Sequence, residues 1–169
     1  MDITLVLSTV IAVLIASFLG FLFWLQRKEH KRELENTNNN KANTSLQLQA
    51  YERLTLLVDR IALPNLIARV NEPGLSVKEM QQLLNQNIKH EFDYNITQQI
   101  YVSQNAWNAV KSLKEQNMLA INQLANILPA TATGLDLNKL LLEYTMNDAK
   151  GNMHQAVSEA LSYEAKKLL

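Results

Sequence analysis

The sequence has no cysteine, and only four glycines and three prolines among its 169 residues. Without cysteine, the chain can form no disulfide or thiolate metal site, and it has no cysteine nucleophile. The four glycines are scattered and supply no glycine-rich phosphate loop. These absences exclude several classes of enzyme site, while the length is typical of a single domain.

The chain also has no excess of charge of either sign. Lys and Arg number 16, and so do Asp and Glu. Four basic residues fall in one short window, and the sequence after this window has 12 basic and 14 acidic residues. A body so close to neutral lacks the positive field that nucleic-acid binding requires. We therefore expect no nucleic-acid partner.

The longest apolar feature is an uncharged stretch of 23 residues from Ile3 to Leu25. A helix of that length spans about 34 Å, and a hydrocarbon core is about 30 Å thick. A cleaved signal peptide is the alternative, but no Lys or Arg precedes this stretch and it ends in large apolar residues. The pattern predicts a transmembrane helix over residues 1–25, with the lipid bilayer as its partner.

The short basic window follows directly after this stretch and comprises Arg27, Lys28, Lys31 and Arg32. Nothing basic precedes the stretch, so the positive-inside rule predicts an N-terminus outside and a C-terminal domain in the cytoplasm. The expected location is the inner (plasma) membrane, with a single pass. Binding of anionic headgroups is a second interpretation of the same basic residues.

Small residues recur at intervals of four within the predicted span, at Ser8, Ala12, Ala16 and Gly20. At that spacing they share one face of a helix and allow another helix to approach closely. The stripe is a candidate for helix packing within the membrane, either by self-association or in a larger complex.

After the predicted span, residues 26–44 form a basic juxtamembrane segment and an Asn-rich tether. A helical period of apolar residues then dominates residues 45–169. Helix-start signals are a proline, a capping box and two capping residues, namely Pro64, Ser76 with Glu79, Ser103 and Asp136. The predicted fold is all-α, with the transmembrane helix followed by a soluble bundle of four to six helices. Residues 94–102 suit a helix, a strand or a loop equally.

A repeated charge pattern marks the first helix of this domain. Glu52-Arg53-Leu54 is echoed seven residues later by Asp59-Arg60-Ile61. Flanking charges at heptad spacing are how helices select a partner helix. Glu52, Arg53, Asp59 and Arg60 are therefore a candidate partner surface, for another protein or for self-association. The alternative is a solvated border of the domain's own core.

No pattern of catalytic, metal-binding or cofactor-binding residues is present. His90-Glu91 begins like the H-E-x-x-H helix of zinc proteases, but Tyr94 stands where the second histidine belongs. The other two histidines, His30 and His154, are far away in sequence. We therefore predict no cofactor and no small-molecule ligand.

The segments 48–54, 61–67 and 98–103, together with Trp107, resemble an uncharacterised family of small bacterial proteins with one N-terminal span and a helical cytoplasmic region. The resemblance implies a bacterial inner membrane and a domain of unknown function. It implies no active site.

These features favour a membrane-anchored cytoplasmic domain that acts as a protein-interaction or scaffold module. One alternative is an accessory subunit of a larger membrane complex, held through the small-residue stripe. Another is an unrecognised hydrolase or ligand-binding domain, which would need convergent polar groups around His90, Asp93 and Tyr94.

Overall fold

The computed structural model describes Phe21 and residues 23–29, 41–147 and 153–169. The chain divides into two compact units, Met1–Thr44 and Ser45–Leu169. In the first unit, Phe21 and residues 23–29 are helical. Most of the residues that the structure describes belong to the second unit.

The described residues are almost entirely helical, and they contain no strand beyond an isolated bridge between Ser76 and Thr133. The helices are α1 (41–61), α2 (Leu63–Val70), α3 (Val77–Tyr94), a 3-10 helix (Ile96–Ile100), α4 (Gln104–Ile127), α5 (Gly134–Asn147) and α6 (Met153–Lys166). The all-α prediction is confirmed for these residues. The ambiguous stretch is resolved as the end of α3 and the 3-10 helix.

Several predicted helix starts are observed. Pro64 lies in the first turn of α2, where its missing N–H costs nothing. Ser76 and Glu79 form the expected capping box of α3, and Ser103 accepts a 3.0 Å hydrogen bond from the Ala106 N–H at the start of α4.

The start of α5 differs from the prediction that Asp136 is its cap. With Asp136 as the cap the helix would begin at Leu137, but it begins three residues earlier, at Gly134. The Thr133 hydroxyl accepts a hydrogen bond from the Asp136 N–H, and the Asp136 carboxylate accepts one from the Thr133 N–H at 2.8 Å. Thr133 is therefore the capping residue, and Asp136 is the reciprocal partner in the first turn.

One hydrophobic core joins the helices of the second unit. Helix α3 packs on α4 and α5, α2 packs on α5, and α4 also contacts α6. Trp107 is buried, with its ring 5.0 Å from that of Phe92. Trp107 is thus part of this core. The largest fully buried side chains are Leu54, Leu57, Ile61, Leu66, Met80, Leu84, Ile88, Leu113, Ile121, Leu137, Leu141 and Leu161.

The predicted transmembrane helix is corrected by the structure. Within residues 21, 23–29, 41–147 and 153–169, no helix combines the length and the apolar character that crossing a bilayer demands. The reason is charge and length: α4 is long enough but carries Lys111, Lys114 and Glu115, and the helical residues 23–29 are few and include three charged side chains. Residues 1–20 and Leu22 of the predicted span lie outside the described residues. The predictions of a single-pass fold and of an inner-membrane location are therefore wrong.

Candidate functional site

The candidate site is a groove between α1 and α3, with a volume of about 460 Å³. Positions 53, 56, 57 and 60 share one side of α1 because they are three, four and seven residues apart. Positions 90, 91 and 94 share one side of α3 for the same reason. We call this the α1–α3 groove, and it is lined by Arg53, Leu56, Leu57, Arg60, His90, Glu91, Tyr94 and Asn95.

A buried carboxylate organises one wall of the groove. Glu91 is 8% exposed, and its Oε1 lies 2.6 Å from Arg60 Nη2 and 3.3 Å from Arg69 Nη1. Arg69 also donates to the backbone carbonyl of Arg60 at 3.3 Å. A buried carboxylate is costly unless it is paired, and here two guanidinium groups from α1 and α2 compensate it.

The pairing also sets the protonation of Glu91. The hydrogen bond from Arg60 lowers the pKa of the Glu91 carboxyl below its ordinary value, although burial acts in the opposite direction. The charges of Arg60, Arg69 and His90 add to the lowering. Glu91 is thus an anion at neutral pH, and Arg60 is held in place by it.

The remaining surface of the groove is largely apolar. Leu57 is buried beneath it, whereas Leu56 and Tyr94 are 58% and 72% exposed. Arg53 is also exposed, and the Arg60 side chain stays 42% exposed although it is paired with Glu91. Adjacent apolar side chains bordered by cations distinguish this groove from the isolated exposed apolar residues of an ordinary surface.

A family described as "Family of unknown function (DUF7935)" matches residues 1–168. The chain belongs to this family. No curated protein and no solved structure matches the chain significantly. The resemblance to an uncharacterised family is therefore confirmed, but its membrane and bacterial aspects are not supported by this match.

In this member of the family, the four charged residues of the candidate partner surface separate into two groups. Arg53 and Arg60 line the groove, whereas Glu52 does not. Asp59 lies at the junction of α1 and α2, where its Oδ1 accepts a 2.9 Å hydrogen bond from Asn65 Nδ2. The two arginines are thus the groove residues of the heptad pattern, and Asp59 stabilises the local turn.

The polar groups suggested for a hydrolase or ligand site do not converge. His90 and Tyr94 line the groove, but Asp93 is exposed and does not. No hydrogen bond joins any two of these three side chains in the structure as described. Across the described ranges, no group of three His, Asp or Glu side chains is placed to hold a metal ion.

The candidate residues near the N-terminus are only partly described. Ser8, Ala12, Ala16 and Gly20, as well as Lys31 and Arg32, lie outside the described residues. Arg27 and Lys28 are exposed and stack on aromatic rings of their own helix. The Arg27 Cζ lies 4.7 Å from the centre of the Phe23 ring, and the Lys28 Nζ lies 4.9 Å from that of Trp24. These contacts are cation–π pairs one turn apart.

The central residue of the site, Glu91, was not recognised as such from the sequence. A signal was available, because Glu91 lies between Ile88 and Phe92 on the apolar side of α3. A carboxylate at such a position must find cationic partners. Its partners, Arg60 and Arg69, come from α1 and α2, and the pairing with them is a tertiary contact that local periodicity does not specify.

Proposed function

We propose that this protein is a protein-interaction or scaffold module that binds a segment of another protein in the α1–α3 groove. The observation that carries the proposal is the exposed apolar surface of Leu56 and Tyr94, which Arg53 and Arg60 border. Interaction surfaces combine an apolar anchor site with arginine and tyrosine side chains in this manner. The occupant is a partner segment with an apolar side chain and acidic neighbours.

The exposure of the groove favours a macromolecular partner over a small molecule. Small-molecule sites enclose most of their ligand, and a few polar groups of the protein point towards it. Here Leu56, Tyr94 and the Arg60 side chain are all substantially exposed, so a ligand would be contacted mainly from one side. A segment that belongs to a larger partner can accept such one-sided contact.

Site-specific photo-crosslinking tests this proposal. A photoreactive residue replaces Leu56 in the full-length chain, expressed in its native cells, and a matched one replaces Leu119, which is exposed on α4. The expected result is an adduct with a different protein at position 56 and none at 119. The adduct partner is identified by mass spectrometry, and the purified partner should bind the wild-type chain and not Leu56→Asp.

Three outcomes would overturn the proposal: no adduct at position 56, equal adducts at 56 and 119, or an adduct that consists only of a second copy of this chain. Leu56 is exposed, so Leu56→Asp should retain the wild-type melting temperature and circular dichroism spectrum. That control separates lost binding from lost folding.

A further inference from the structure

We infer that the α1–α3 groove selects a helical segment that carries two carboxylates seven positions apart, with an apolar side chain between them. This inference rests on the proposed function and specifies the chemistry of the partner. Its basis is the position of the two arginines relative to the apolar surface that lies between them.

Arg53 and Arg60 are seven residues apart on α1. Seven residues make almost two full helical turns, so the two side chains project in nearly the same direction, about 10.5 Å apart along the axis. Leu56 and Leu57 lie between them in sequence and line the same groove. Along α1, the surface in the groove therefore consists of a cation, an apolar side chain and a second cation.

A partner helix aligned with α1 has the same periodicity. Its positions i and i+7 lie on one face about 10.5 Å apart, and positions i+3 and i+4 lie between them. Acidic residues at i and i+7 would face Arg53 and Arg60, while a leucine at i+3 or i+4 would contact Leu56 and Tyr94. Because a cation lies at each end of this surface, the spacing of the two carboxylates is selected but the direction of the partner helix is not.

Glu91 does not prevent this binding, because it is shared between two arginines. Arg60 Nη2 is engaged at 2.6 Å, yet 42% of the Arg60 side chain remains exposed and can approach a second carboxylate. Arg69, at 3.3 Å, keeps Glu91 compensated when Arg60 divides its donors. Arg53 takes part in no salt bridge among the residues that the structure describes, so its guanidinium is open to a partner. Glu91 thus holds Arg60 in position for the partner. Its negative charge would repel a partner carboxylate that lay directly over Glu91 itself.

Fluorescence anisotropy with two labelled synthetic peptides tests the spacing. Both peptides are helical and have the same composition, with leucine in the middle. One carries glutamates seven positions apart, and the other carries them five apart, on different faces of the helix. The full-length chain should bind the first peptide about tenfold more tightly, which corresponds to about 1.4 kcal/mol.

Charge reversal on the protein identifies the contacts. Arg53→Glu should weaken binding of the first peptide about tenfold or more, since an attraction becomes a repulsion. A peptide with lysine at the matching position should recover binding to that variant. Lys111→Glu is the matched control, because Lys111 is exposed on α4 and does not line the groove; it should leave the affinity unchanged.

Equal affinity for the two spacings, or unchanged binding by Arg53→Glu, would overturn this inference. If the Leu56 crosslink to a partner protein is present in that case, the proposed function stands and only the charge spacing is wrong. If the crosslink is also absent, both fail.

Discussion

Asn117 of α4 donates a 2.7 Å hydrogen bond from its side-chain Nδ2 to the backbone carbonyl of Ile61, the last residue of α1. The final carbonyls of a helix have no partner within the helix, and Ile61 is buried. The Asn117 side chain, itself 7% exposed, therefore caps α1 from a helix 56 residues away in sequence. This contact fixes the end of α1, and so the groove wall that carries Arg60.

Asn117→Ala should consequently lower the free energy of unfolding by about 1–3 kcal/mol, because a buried carbonyl loses its donor. Urea unfolding measured by circular dichroism checks this value. Asn108→Ala is the matched control on the same helix, since Asn108 is exposed; its effect should stay within about 0.5 kcal/mol. An equal effect of the two substitutions would show that the Asn117 contact adds no stability.

Acid should weaken the molecule partly through Glu91. Its pKa in the folded state is lowered, first by the hydrogen bond from Arg60, from an ordinary value of 4.5. Between the lowered pKa and about 4.5, the unfolded chain binds more protons than the folded one, so stability falls as the pH falls. The contribution of Glu91 is complete above that window and is lost below it.

Glu91→Gln should therefore cost about 1–3 kcal/mol at pH 7, and the difference from wild type should shrink as the pH drops through 4.5 towards the lowered pKa. Urea unfolding at a series of pH values measures it. Because the carboxyls of Glu79 and Asp136 also have a lowered pKa, from their capping contacts with Ser76 and Thr133, the difference between the two proteins is the informative quantity. Parallel curves from pH 7 to pH 3 would contradict the assignment.

Signals confined to a few neighbouring residues predict helix starts, whereas contacts between distant helices do not follow from such signals. The Ser76–Glu79 capping box and the Ser103 cap could be predicted because each is encoded within four residues. At α5 the same logic applies to Thr133 and Asp136, but the cap is Thr133, the first member of the pair, and not Asp136 as predicted. The apolar stretch at the N-terminus predicted a membrane span by hydropathy alone, and no helix within the described part of the chain meets that description.

The groove itself could be predicted only in part. The heptad repeat identified Arg53 and Arg60 on one side of α1, as a local period can. Helix α3 supplies the opposite wall of the groove. This placement involves a contact between Arg60 and Glu91, which are 31 positions apart in the sequence. Such pairings follow from the packing of whole helices. The repeat therefore indicated Arg53 and Arg60 but not the α1–α3 groove that they line.

Gly134 is required by close packing at the start of α5. Its N–H donates a 2.8 Å hydrogen bond to the Leu75 carbonyl, and a Cβ there would lie 2.9 Å from the Met80 Cβ and 3.1 Å from that carbonyl. Gly134→Ala should destabilise the protein by about 1–3 kcal/mol through overpacking, despite the better helix propensity of alanine. Thermal unfolding checks this. Leu135→Ala, at an exposed neighbouring position, is the control, and a gain of stability in Gly134→Ala would show that the two helix starts can separate freely.

Tyr51 connects three helices through its hydroxyl group. The hydroxyl donates to Glu164 Oε2 of α6 at 2.6 Å and accepts from the Ser103 N–H before α4 at 3.2 Å. Burial, and then the hydrogen bond to Glu164, raise the pKa of Tyr51 above its ordinary value of 10.0. Its contribution to stability is therefore complete below pH 10 and is lost as the pH rises through the raised pKa.

Tyr51→Phe should lower the free energy of unfolding at pH 7 by about 1–3 kcal/mol, because Glu164 and the Ser103 N–H both lose their partner. Hydrogen exchange should show faster opening of α6 than of α3, since α6 is the helix held by this contact. Above pH 10 the difference between wild type and variant should diminish. Tyr94→Phe, at an exposed position, is the control for a lost hydroxyl. If α6 exchanges at the wild-type rate in Tyr51→Phe, apolar packing of Val157 and Leu161 alone holds that helix in place.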